Sequence, residues 1–262
     1  MEVVGYIASA LIGVSMGLIG GGGSILTIPI LVYLFSVSPT LSISYSLFIV
    51  GFTSLVGAYN NYRRGLVNFK TVLLFGSSSV TTVIVVRKFI IPLLPDVFFR
   101  IGSLHVTHSI FVMVVFAVLM LTASISMIKN KKISDENNTA KRNLSILVFY
   151  GLLIGLVTGF LGAGGGFLLI PALVVLMKLP MKEAIGTSLF IIALNSLIGF
   201  LGDIGRYSID WSLIIIITSI AIGGIFIGSY FNKKVDSEKL KKGFGWFILI
   251  MGIYIIVKEI VL

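Results

Sequence analysis

Two short stretches carry the residues best suited to chemistry: "LIGGGGSILTIPILVYL" (18–34) and "FLGAGGGFLLIPALVVL" (160–176). Each sets a glycine run and a proline inside an apolar segment, although glycine costs a helix about 1 kcal/mol and interior proline about 3 kcal/mol. A helix broken there must restart, and the N–H groups and positive dipole end of the new turn attract anions. Short helices are expected to begin at Ser24 and Gly166, which makes Gly22, Gly23, Ser24, Gly164, Gly165 and Gly166 candidate ligands of an anion. Glycine there allows positive φ and close approach of the backbone. Pro29 and Pro171 follow five residues later and free a carbonyl. A second use of glycine is close helix packing, and the Gly13–Gly17 and Gly155–Gly159 spacings fit that use.

Other polar residues lie just downstream. Ser46 and Thr53, and likewise Ser188 and Asn195, are seven apart and so share a helix face. With Thr187 they offer donors for an oxyanion cage, or hydrogen bonds between helices worth under about 1 kcal/mol each. His105 and His108, three apart, fit proton coupling or an interfacial position; no further metal ligands lie nearby. Arg64 and Arg206 suit anion attraction at a mouth or helix anchoring. Asp203 and Asp210 flank Arg206 and are expected to satisfy it, with Asp203 the best carboxylate for a proton relay. The run "GSSSVTT" (76–82) reads as a packing face. No nucleophile–base–orienter set and no phosphate-binding loop is visible, so neither catalysis nor a cofactor is expected.

The elements that must position these residues are membrane helices. Of 262 residues, 57% are hydrophobic and only 11% charged, against roughly 25% charged in soluble domains; the mean hydropathy is +1.10. Apolar segments fall near 3–19, 25–36, 41–60, 70–86, 101–128, 144–161, 167–178, 184–202, 211–231 and 243–261. The segments 25–36 and 167–178 reach only about 18 Å, short of a bilayer core about 30 Å thick. The net charge of +10 sits in short loops, a pattern of topology signals and lipid contacts rather than of nucleic-acid binding. The N-terminus reads as a retained first helix. Cysteine is absent.

The chain is duplicated. A shift of 142 residues pairs Leu11–Phe69 with 153–211 without a gap, and 22 of those 59 positions are identical. The organisation expected is a first transmembrane repeat (1–128), a hydrophilic linker (129–143) and a second repeat (144–262). If each glycine-broken region enters and returns, fifteen of the 20 basic residues fall on one side and five on the other; a single crossing gives ten and ten. Basic residues mark the cytoplasmic side. The fold class is therefore all-α integral membrane in the cell membrane, with two inverted repeats, each carrying a glycine-broken hairpin, both termini outside and the linker inside. Paired broken helices in inverted repeats are a transporter plan with the substrate near the midplane.

These residues resemble a known family. The doubled "GGGGSILTIP" and "GAGGGFLLIP", followed by "SYSL" and "GTSL" and then by "RRGLVNF" and "GRYSIDW", are similar to the TauE/SafE family of membrane permeases. The likeness covers nearly all of the chain outside the linker. It implies a secondary transporter that moves sulfite or small organosulfur anions, with an anion channel of similar build as the alternative. The partners implied are a small anionic substrate, membrane lipids and a coupling proton or ion.

Overall fold

The computed structural model describes residues 2–93, 97–101, 104–128, 144–162, 165–232 and 237–260. Helix α1 (Glu2–Ile19) ends at Gly20, a 3-10 turn spans Gly21–Leu26, and α2 (Thr27–Leu34) follows. Next come α3 (Pro39–Arg63) and a helical rod, Phe69–Leu93. The rod contains α4 (Phe69–Thr71), a π turn (Val72–Gly76), α5 (Ser77–Val85) and a second π turn (Val86–Ile90). A hairpin of β1 (Val97–Ile101) and β2 (Leu104–Thr107) precedes α6 (His108–Ile128). The second half supplies α7 (Leu144–Leu161), α8 (Gly166–Met177), α9 (Met181–Leu201), α10 (Trp211–Phe231) and α11 (Ser237–Ile260). The linker 129–143 and Gly164 lie outside the described residues.

Among the described residues the fold is all-helical in class, as expected, apart from this one short hairpin, which stands where the sequence suggests the start of the apolar segment 101–128. "VFFRI" and "LHVT" are rich in aromatic and β-branched residues and are separated by Gly-Ser, a hairpin signature. Among the described residues four helical stretches are long and apolar enough to cross a bilayer: Pro39–Arg63, Phe69–Leu93, Met181–Leu201 and Trp211–Phe231; shorter apolar helices accompany them. Leu11, Leu73, Phe149, Ile215, Phe226 and Ile250 point outward and exposed. Lipid, rather than water, is the solvent such a surface requires.

Helices α3 and α9 form the buried centre and run antiparallel. Near one end, the Asp210 N–H after α9 donates to the Tyr45 hydroxyl of α3 (2.7 Å). Near the other, the Asn68 N–H after α3 donates to Thr187 Oγ1 of α9 (3.0 Å). Asn68 and Asp210 are 142 residues apart, as are Tyr45 and Thr187, and each of the former caps a helix by accepting from the N–H three residues on. Ser36 and Lys178, also 142 apart, both have φ near +50° (55° and 51°).

Glycine sets the flanking contacts. Helix α1 runs parallel to α10, with Gly13 against the backbone of Ala221 and Gly17 against Ile225 and Ser229. The same offset reappears between α7 and the rod, where Gly155 meets Ser79 and Thr82 and Gly159 meets Val86. The packing use of these four glycines and of the "GSSSVTT" face is what the structure displays. Helix α11 packs on α6, with Gly252 against Leu121. Phe35, which caps α2, packs on Gly5 and Tyr6 of α1.

Candidate functional site

The two chain breaks meet. Gly20 has φ +77° and Gly162, its partner at the 142-residue offset, has φ +64°; Gly165 at +61° leads into α8. A Cβ on Gly166 would sit 2.5 Å from Gly21 Cα, so the turns touch backbone to backbone. Ile192, from α9, closes over Gly21. The second short helix begins at Gly166 as expected. The first restarts differently: Gly21–Leu26 forms a 3-10 turn and α2 starts only at Thr27. The Ser24 hydroxyl donates to Gly21 O (2.8 Å) within that turn. Gly22 lies in the same turn, and Gly23 packs on Ser15 and Met16 of α1.

Ser46, Thr53 and Ser54 of α3 and Thr187, Ser188, Asn195 and Ser196 of α9 are fully buried. Thr53 donates to Ile49 O (2.6 Å) and Ser188 to Ile185 O (2.9 Å), both within their own helices. Asn195 Nδ2 donates to Ser79 Oγ of the rod (2.7 Å). The hydroxyls of Ser46, Ser54, Ser196 and Thr158, and Oδ1 of Asn195, have no partner among the described residues. Buried polar atoms are ordinarily satisfied, so this unused capacity calls for an occupant or water. Thr158 lies against Gly165 at the second break.

A cavity of about 210 Å³ opens at the end where α3 stops and α9 starts. Its lining includes Gly17, Asn61, Arg64, Lys182, Ile185 and Ser229, and Ile185 touches Gly20 at the first break. Asn232 at the same end donates to Leu18 O, tying α10 to the last turn of α1. Arg64 and Lys182 give the mouth positive charge.

At the opposite end, where α9 and the rod finish, Arg87 Nη1 pairs with Asp203 Oδ2 at 2.9 Å. Their side chains are 3% and 0% exposed. This corrects the expected pairing of Asp203 with Arg206. Arg206 instead donates to Ile91 O (3.3 Å) and lies over the Tyr207 ring, while Asp210 caps α10. Burial pushes the Tyr207 phenol above its ordinary range, with Arg206 opposing the shift. His105 and His108 do not share a helical face, since His105 is on β2 and His108 opens α6. The apolar pattern ends this segment at 86 and leaves Arg87 outside the candidate residues, whereas the rod runs on to Leu93. The signal was a cation inside a rod that continues to Leu93, and intramembrane ionisable residues are rare and functional. Among the described residues no group of three or more potential metal ligands is present.

A polytopic bundle of apolar helices, broken twice inside its core, places the chain among membrane transporters of the cell membrane. Residues 6–255 match the family model described as Sulfite exporter TauE/SafE, and the chain belongs to that family. It is 27% identical over 257 residues to a Xylella fastidiosa protein named "Probable membrane transporter protein", covering 95% of this chain and 92% of the relative. It is also 27% identical over 260 residues to YunE of Bacillus subtilis, which bears the same description, with 92% and 90% covered. No solved structure matches this chain.

Proposed function

We propose that the protein is a secondary transporter of small anions, of the sulfite or organosulfonate class, with the anion held where the two breaks meet near the midplane. The observation that carries this reading is the backbone contact of Gly21 with Gly166. Irregular backbone at membrane depth persists only when buried in protein or lining a wet cavity, and paired breaks are a recurring substrate site. The unpartnered Thr158 hydroxyl lies against Gly165 at the second break, and those of Ser46, Ser54 and Ser196 are further unused donors buried in α3 and α9. The family name supports the substrate class.

The arrangement proposed is a pair of inverted repeats, 1–128 and 144–262, joined by a cytoplasmic linker. In each, the broken region turns back as a hairpin; Phe35 returning to Gly5 supports this for the first. The antiparallel α3 and α9, and the capping bonds repeated at the 142-residue offset, support the inversion. The cavity at one end, with Arg87 and Asp203 buried against each other at the other, supports a carrier over a continuous pore.

The test is a thermal-stability screen of purified protein against sulfite, sulfate, thiosulfate, sulfonates and carboxylates. A ligand of the folded state raises the melting temperature by mass action. Selective stabilisation by sulfur oxyanions is expected; stabilisation by carboxylates alone would move the substrate class, and none by any anion would defeat the reading.

A further inference from the structure

The Arg87–Asp203 pair is incompletely used. Only Nη1 and Oδ2 meet; Arg87 Nε and Nη2 and Asp203 Oδ1 have no hydrogen-bond partner among the described residues. A guanidinium fork matches two oxygens of one oxyanion, and here one side of the fork is vacant while fully buried. That side faces the second break: a Cβ on Gly162 would lie 3.1 Å from Nη2. Arg87 also sits in the second π turn of the rod, a helix irregularity frequent at functional sites.

The 142-residue offset relates this pair to the open cavity. The positions matching Arg87 and Asp203 in the other half are Ser229 and Asn61, and both line the cavity. The offset holds in space as well as in sequence, because Gly17 contacts α10 around Ser229 as Gly159 contacts the rod at Val86. One half thus has an open chamber with neutral residues at these positions. The other has the chamber's equivalent closed around a cation and a carboxylate.

We propose that Arg87 binds the oxyanion on the closed side and that the Asp203 carboxylate holds its place there when no anion is bound. An incoming oxyanion takes the guanidinium, and Asp203, no longer paired, takes up a proton from hydronium or buffer acid in the aqueous phase, whose conjugate base stays in solution. Anion and proton therefore arrive together, and the buried charge stays balanced throughout. Among the described residues, the charged and titratable groups facing Asp203 are Arg87 from the rod and Tyr207 from its own turn, with Arg206 acting on both of these. This inference rests on the transporter reading above and gives that site its proton step.

The test is calorimetric titration of the purified full-length protein with methanesulfonate and sulfate, in mildly acidic and mildly alkaline buffer. Neither probe changes charge between the two, so any pH dependence belongs to the protein. Wild-type affinity is expected to be higher in acid. Asp203→Asn keeps the shape, frees the guanidinium, and is expected to bind about tenfold tighter in alkaline buffer, the scale of one charge-assisted hydrogen bond, with the pH dependence flattened. The double variant Arg87→Gln/Asp203→Asn leaves no buried charge unpaired and is expected to fold and to lose tenfold or more in affinity. A double variant with wild-type affinity and wild-type pH dependence would make the pair structural and leave the transporter reading intact. Absence of binding in all three proteins would overturn both.

Discussion

Substituting Gly166→Ala places one methyl group where the two breaks touch. Its carbon would lie 2.5 Å from Gly21 Cα and 2.6 Å from Gly21 C. Ordinary carbon contacts are about 3.5 Å or more, so the turns must separate by about 1 Å. Both sides are backbone and neither can swing away as a side chain would. Overpacking of this kind costs about 1–3 kcal/mol, which for a chain of this size lowers the melting temperature by roughly 5 °C. The companion variant Gly223→Ala has nothing within 4 Å of the new carbon and lies in α10. There the added helix propensity is worth about 0.5–1 kcal/mol, so it should melt at or slightly above wild type. The assay is thermal unfolding in detergent, with anion-induced stabilisation measured on the same samples. Gly166→Ala should lose both stability and anion response, whereas Gly223→Ala should lose neither. If Gly166→Ala melted with wild type and kept its anion response, the contact between the breaks would be irrelevant to both.

Further outcomes follow from the same packing. Gly13→Ala and Gly155→Ala, at packing spacings that by themselves suggest a cost of about 1 kcal/mol or less, meet the backbone oxygens of Ala221 and Ser79; both should cost about 1–3 kcal/mol in chemical unfolding. Asn68→Ala and Asp210→Ala remove the caps of α4 and α10 and should each cost about 0.5–2 kcal/mol. Because they sit at opposite ends of the bundle, the double variant should cost the sum to within about 0.5 kcal/mol. In intact cells, Ser134→Cys should be shielded from an impermeant thiol reagent and Leu262→Cys labelled; the reverse pattern would turn the topology over.

The breaks were legible because glycine runs are costly inside apolar helices, and their coincidence at a 142-residue offset left little room for chance. The structure adds that Gly20 and Gly162 both take positive φ, a conformation the residue type permits but does not require. Arg87 was illegible for a physical reason. A π turn has no sequence signature, so the apolar stretch before "RKFII" looked finished where the rod in fact continues to Leu93. Asp203 was legible as a functional carboxylate but not as Arg87's partner, since the two are 116 residues apart and Arg206 stood nearer in sequence. The spacing of Gly13 and Gly17 indicated packing. The closeness of that packing depends on a neighbouring backbone that no local pattern describes. The β-hairpin was within reach, as aromatic and β-branched runs around Gly-Ser outweigh helical propensity over 97–107.

The central claim, carriage of a small sulfur oxyanion by a site between the breaks, is tested most directly by flux in proteoliposomes. Liposomes loaded with sulfite or a sulfonate, and containing either wild-type protein or Gly166→Ala, are assayed for anion release over a range of internal concentrations. The account predicts release that saturates for wild type and falls to the rate of empty liposomes for Gly166→Ala. Release that rises linearly without saturating, or that is unchanged in Gly166→Ala, would contradict it.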